Sequence, residues 1–249
     1  GDVALRLPAP DGRPLDVERG LLSLLPLARR GLAPGALLEH AQPVLGGGLV
    51  LAGLGGPEQA HAAGPVWPGI ATAFGALDTA DVIVDAGRLD LRSPVLPVVT
   101  SADLAVCVLD ASLPGVYAAR ARLRTVLPEL TRADRGGPRV GFVVRAGHRR
   151  DADGAAAALG EEFSQLEYLG HLPEDPSGAR IFDGHPVARP ERTLLVRAGS
   201  ELVAKLGGLL WALGWAAVTA AREDEPEPVA ASGAHRGGGR RRRKVKEKA

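Results

Sequence analysis

In residues 81–90, DVIVDAGRLD, a carboxylate stands where a short apolar run stops. Val82, Ile83 and Val84 are β-branched and continuous, which predicts a strand buried on both faces, with Asp85 leaving the sheet just before the turn glycine Gly87. A carboxylate at such a strand end suits the magnesium side of nucleotide chemistry. It equally suits a turn-forming cap, because Asp bonds readily to the backbone two residues on. The phosphate side has no counterpart in the sequence. Its only lysines are Lys205, Lys244, Lys246 and Lys248, and none follows the glycine-rich turn that a phosphate-binding loop requires.

Other reactive side chains point to no second chemistry. His148, His171 and His185 are scattered without metal-ligand spacing and read as solvent-facing loop residues. Ser101 and Ser112 have no arranged His and Asp partners, so a hydrolase triad is not supported. The single cysteine, Cys107, lies inside LAVCVLD and reads as a small buried hydrophobe, which excludes a disulfide framework within one chain.

Positioning such groups takes a core, and 249 residues at 45% hydrophobic content can build one. With only 4 Phe, 2 Tyr and 3 Trp, that core is aliphatic, and a nucleic-acid reader based on base stacking is not expected. The net charge of +1 hides a division: from residue 236 onward eight Lys or Arg stand against one Glu, so the rest of the chain is net acidic. The chain starts at Gly1 without a charged-then-apolar signal segment, and a cytoplasmic location is expected.

Periodicity supplies the elements. Residues 14–32 read as a helix closing at Gly31, residues 48–54 as a buried strand, and GIATAFGAL as a short helix delivering the 82–84 strand. The pattern then repeats: strand 104–110, helix 115–130, strand 139–147, a helix around ADGAAAALGEEF, and a short strand from residue 167 running into the loop Pro173, Glu174, Asp175. The fold expected is α/β: a doubly wound, mostly parallel sheet flanked by helices in three Rossmann-like layers. Ligands of such sheets bind beyond the carboxyl ends of the strands. Three ends converge there: Asp85 with Gly87, Arg145 with Gly147, and the loop from Pro173 to Asp175.

Residues 202–221 carry one charge and just reach the length of a membrane span, yet three glycines and many alanines keep them weakly hydrophobic. Ser200 and Glu201 read as the cap of an ordinary helix; Trp211 and Trp215, four apart, share the face that a membrane surface or partner would touch. The domain division is 1–222 and 223–249. The second part turns from acidic to Pro- and Gly-rich to basic, which predicts a disordered tail. Arg240, Arg241, Arg242, Arg243 and Lys244 are its candidate contacts for DNA or anionic lipid, weak and salt-dependent.

With these segments placed, the chain resembles the ParA/MinD-type P-loop ATPases in the form common in high-GC actinobacteria. The stretches that carry the resemblance are DVIVDAGRLD, SADLAVCVLDASLPGVYAARARL, RVGFVVRAG, YLGHLPEDPSGARIFDGHPV and LVRAGSELVAKL, in order from residue 81 to residue 206. The resemblance implies that Asp85 orients Mg2+ through water and that Gly87 is the switch glycine sensing the γ-phosphate. It implies that Pro173, Glu174 and Asp175 border the adenine. At Arg145 the family often has a base-reading asparagine, and Arg cannot accept a bond from the adenine amino group. It also implies that GDVALRL follows a first strand, phosphate loop, helix and second strand, so that these 249 residues hold the metal-side aspartate without the phosphate loop. The expected function is an ATP- and Mg2+-dependent nucleotide switch in partition, positioning or secretion-apparatus assembly, forming a homodimer, meeting a protein partner, and lying at the membrane or nucleoid periphery. The alternative is a non-catalytic α/β interaction or regulatory module. Without its phosphate loop the chain itself is expected to be inactive.

Overall fold

The computed structural model describes residues 3–132 and 136–223, with the side chains of residues 3, 5, 57 and 215–223 outside that description. The N-terminal part is a set of short pieces: α1 (Val3–Arg6), α2 (Leu21–Ala28), α3 (Pro34–His40), the two-residue strands β1 (Gln42–Pro43) and β2 (Leu49–Val50), α4 (Pro57–Ala62), α5 (Trp67–Gly75) and α6 (Leu96–Thr100). Prolines and glycines cut it this way. Pro34, Pro57, Pro68 and Pro97 each sit in the first turn of a helix, where a missing N–H costs nothing.

Gln42 ties these pieces together. It is buried; its Oε1 accepts from the Asp16 N–H at 2.9 Å, and its Nε2 donates to the carbonyls of Asp16 at 2.7 Å and Arg19 at 2.6 Å. The apolar residues pack separately from the main sheet, with Val66, Trp67, Ile70, Ala71 and Val98 in one cluster and Leu24, Leu37 and Ala73 in another.

The remainder follows a strand and helix alternation: β3 (Leu104–Asp110), α7 (Leu113–Thr131), β4 (Arg139–Ala146), α8 (Arg149–Glu162), β5 (Glu167–Pro173), α9 (Pro176–Ala179) and α10 (Leu194–Glu223). β3, β4 and β5 form a parallel sheet in chain order. Leu109, Phe142, Val144 and Ala146 of the strands meet Leu123 and Leu127 of α7 and Ala152, Ala155 and Leu159 of α8, all buried. Glu162 of α8 pairs with both Arg120 and Arg124 of α7, lacing that helical layer together. α10 packs against β5.

Several expectations are corrected. Residues 82–84 form no strand: the run pairs with no strand among the described residues, and Ile83 is 96% exposed. An apolar run becomes a strand only where a neighbour supplies a hydrogen-bond ladder, and no strand among the described residues lies beside it. Residues 48–54 yield only β2, antiparallel to β1, because Gly46, Gly47 and Gly48 all take positive φ and fold the chain back as a hairpin. The helix expected over 14–32 is confined to α2, which ends before Gly31 with its φ of +105°.

The sheet is helix-flanked and parallel, but its order never reverses among the described strands, so the reversal that defines a doubly wound sheet is not present there. α10 starts at Leu194, so Ser200 lies inside it, donating back to the Val196 carbonyl instead of capping. No helix of the described residues is long and apolar enough to cross a membrane. The tail, with Arg240 to Lys244, lies outside the described residues, as does the Trp215 side chain; Trp211 is 75% exposed.

Candidate functional site

Parallel pairing brings the carboxyl ends of β3, β4 and β5 to one rim. Asp110 stands level with Arg145, and Arg145 with Leu172. The exit loops stay attached to the sheet, since the Ala111 N–H donates to the Arg145 carbonyl at 2.9 Å and the Glu174 N–H to the Ala146 carbonyl at 3.1 Å.

On this rim Arg145 lies between two carboxylates. Its Nη2 is 2.5 Å from Asp110 Oδ2 and its Nη1 is 3.7 Å from Glu174 Oε1. The other Asp110 oxygen, Oδ1, accepts from the Ser112 N–H at 2.8 Å, and Ser112 Oγ in turn accepts from the Gly115 N–H at the start of α7. Gly115 has no alternative here, because a Cβ would lie 2.5 Å from the Asp110 carbonyl oxygen.

These donors hold the Asp110 carboxyl below the ordinary carboxylate range, Ser112 contributing most and Arg145 adding to it. A carboxyl depressed in the folded state contributes stability above its unfolded pKa, and that contribution is lost as pH falls through the folded value. Arg145→Gln is therefore expected to move the Asp110 pKa only part of the way back up, with Ser112 still in place. Carboxyl carbon NMR titration reads this directly, and an unmoved Asp110 would show that Arg145 has no hold on it.

Asp175 is committed elsewhere. Its Oδ1 accepts from the Gly178 N–H at 3.0 Å and its Oδ2 from the Leu195 N–H at 3.2 Å, which pins the loop after β5 to the start of α10. Those two N–H groups, Gly178 first, hold its pKa down. Asp85 accepts from the Gly87 N–H at 2.9 Å, with Gly87 in the left-handed region at φ +63°. Its carboxylate thus forms the local turn and keeps one oxygen uncommitted among the described residues.

Of the residues singled out in the sequence, the structure brings Arg145 and Glu174 into contact and sets Pro173 and Asp175 on either side of Glu174. No ion pair or hydrogen bond among the described residues joins Asp85 or Gly87 to that group. The residue that sequence reasoning passed over is Asp110. Its signal was the same as that of Asp85, a carboxylate closing an apolar run. His171 is also corrected: it sits within β5, half-buried, and its Nε2 donates to the Ala146 carbonyl at 3.0 Å. No group of three or more His, Cys, Asp or Glu among the described residues could hold a metal ion.

No family model matches the chain, and no curated protein matches it. Among solved structures it is similar to the ParA family ATPase from Chlorobium tepidum TLS, with a TM-score of 0.60 and 14% sequence identity over 83% of this chain and 80% of that one. The chain has a ParA-like fold. At that identity the likeness concerns the fold, and the roles of individual side chains rest on their own geometry. The ParA-like core provides the sheet whose carboxyl rim carries Asp110, Arg145 and Glu174.

Proposed function

We propose that the protein is a nucleotide-switch ATPase of the ParA/MinD type, with ATP and Mg2+ as ligands, serving partition, positioning or the assembly of a secretion apparatus. The observation that supports this reading is a parallel sheet of ParA-like fold with charged side chains gathered at its carboxyl rim. Bound Mg·ATP supplies the phosphoanhydride to be cleaved and the ion that offsets its charge.

On the metal side the reading rests on Asp85 and Gly87. Asp85 spends one oxygen on the Gly87 N–H and keeps the other for a metal-bound water, while Gly87 tolerates the backbone change that a switch needs. The phosphate side does not fit. Lys205 donates to the Tyr168 carbonyl at 2.7 Å, at the amino end of β5 and so away from the rim, and Arg145 is already shared by two carboxylates.

A second reading, a non-catalytic interaction or regulatory module, is favoured by the same clamp. Arg145 closed by Asp110 and Glu174, with Asp175 spent on α10, gives a rim that holds itself together without a ligand. The partners consistent with the first reading are a second copy, a protein of a partition or secretion system, and DNA or anionic lipid touched by Arg240 to Lys244. The two readings separate on magnesium-dependent ATP binding and turnover by the protein as its own cell makes it. Turnover is expected; failure to bind nucleotide at all would leave the non-catalytic reading.

A further inference from the structure

Asp175 joins the two ends of one segment. The chain leaves β5 just before it, runs through residues 176–193 and returns in the first turn of α10. The one carboxylate accepts from the Gly178 N–H on Oδ1 at 3.0 Å and from the Leu195 N–H on Oδ2 at 3.2 Å. This contact is closely packed. Gly178 is buried, and a Cβ there would lie 2.7 Å from Asp175 Oδ2 and 3.0 Å from the Leu195 Cβ. The closure also sits one residue from the rim, since the Glu174 carboxylate is 3.7 Å from Arg145 and its N–H donates to the Ala146 carbonyl.

The same segment holds a backbone conformation that its own residues oppose. Arg189 has φ +57° and ψ +62°, in the left-handed region, and is the one non-glycine residue with positive φ among the described residues. That region crowds the Cβ of an L residue against the following carbonyl, and Pro190 favours an extended residue before it. The Arg189 side chain is exposed and makes no hydrogen bond or ion pair among the described residues, so it does not hold the conformation. The returning chain does. The Arg189 carbonyl accepts from the Arg192 N–H at 3.0 Å, and the Pro190 carbonyl accepts from the Thr193 N–H at 3.1 Å and from Thr193 Oγ1 at 2.8 Å. These bonds form the single turn Pro190–Arg192 that bends the segment into α10 and brings Leu195 back to Asp175.

We propose that residues 176–193 form a sprung strap with two states, shut when Asp175 holds Gly178 and Leu195 together and open when Arg189 relaxes to the extended backbone that Pro190 favours. A strained residue persists only where its surroundings over-determine it. Here the carboxylate is the latch and Arg189 the spring. Opening removes the tie between the end of β5 and the first turn of α10, so the state of the strap is felt by α10. The device needs no ligand, and its test therefore stands apart from that of nucleotide binding.

Amide exchange of Arg192 and Thr193 in the 249-residue chain reads the strap, because neither N–H bonds to Asp175. Asp175→Asn leaves one side-chain acceptor for two N–H donors and is expected to speed exchange at both amides by about tenfold. Arg189→Asn keeps the turn with a residue that tolerates the left-handed region, and is expected to slow exchange by about threefold. In the double variant the second change, remote in sequence from the carboxylate, is expected to return both rates to within about threefold of wild type. A carboxylate serving only as a cap for Gly178 would show no such rescue. Amides of β4 are expected to keep their wild-type rates throughout. Wild-type strap rates in Asp175→Asn, a double variant no slower than Asp175→Asn, or β4 amides that speed as much as those of the strap would each overturn the proposal. So would unchanged rates in Arg189→Asn alone, a comparison made with the latch intact.

Discussion

Asp85→Asn is expected to lower magnesium-dependent ATP turnover, assayed on the protein as its own cell makes it, by about 100-fold or more, while nucleotide affinity falls by less than about tenfold. The substitution is well matched to the geometry. The Gly87 N–H donates to one side-chain oxygen at 2.9 Å, and an asparagine carbonyl accepts that bond equally well, so the turn survives. The second oxygen becomes an NH2 group, which cannot accept from a metal-bound water. Charge develops at the transferring phosphoryl group mainly in the transition state, whereas binding spreads over many contacts, and the effect therefore falls on turnover. Turnover within about twofold of wild type would show that Asp85 serves only its turn.

Phe142→Ala is expected to cost about 3–5 kcal/mol of unfolding free energy, read as a shift in the denaturant midpoint. Phe142 is 1% exposed in the central strand β4, and its ring stands 5.4 Å from that of Tyr168. Leu109, Leu123, Leu159, Val144 and Ala152 share its core cluster, and a close-packed interior relaxes only partly into the space of a lost ring. Ile83→Ser is the contrast. At 96% exposure it buries almost nothing, and the expected change is within about 0.5 kcal/mol. A loss below about 1 kcal/mol at Phe142 would mean that the sheet does not depend on that layer.

The difference between these two positions shows where sequence reasoning held. β3, α7, β4, α8 and β5 were legible because each apolar run is flanked by a helix of the right period that covers it, so that local pattern and tertiary packing agree. Residues 82–84 carry the same local signal as β4, but strand formation is a property of a pair, and no composition reveals whether a partner is present. The glycine run 46–48 misled in the other direction. Its left-handed residues turned an expected strand into a hairpin return.

At the site, Arg145 and Glu174 were legible because strand ends in a parallel sheet meet at one rim. Their ion-pairing was not, since Asp110 enters only through the level register of β3 with β4. The capping role of Asp175 depends on Leu195, twenty residues further on, and local sequence gives no sign of it.

The most direct test is titration of the 249-residue chain with Mg·ATP, following both heat of binding and phosphate release. With Lys205 committed at the amino end of β5 and Arg145 shared by two carboxylates, neither cation is free at the sheet's carboxyl rim to offset phosphate charge. The expected result is affinity no better than about millimolar and no release above background. Micromolar binding with magnesium-dependent turnover by the same chain would contradict it, because it would require a phosphate cradle that these residues do not form.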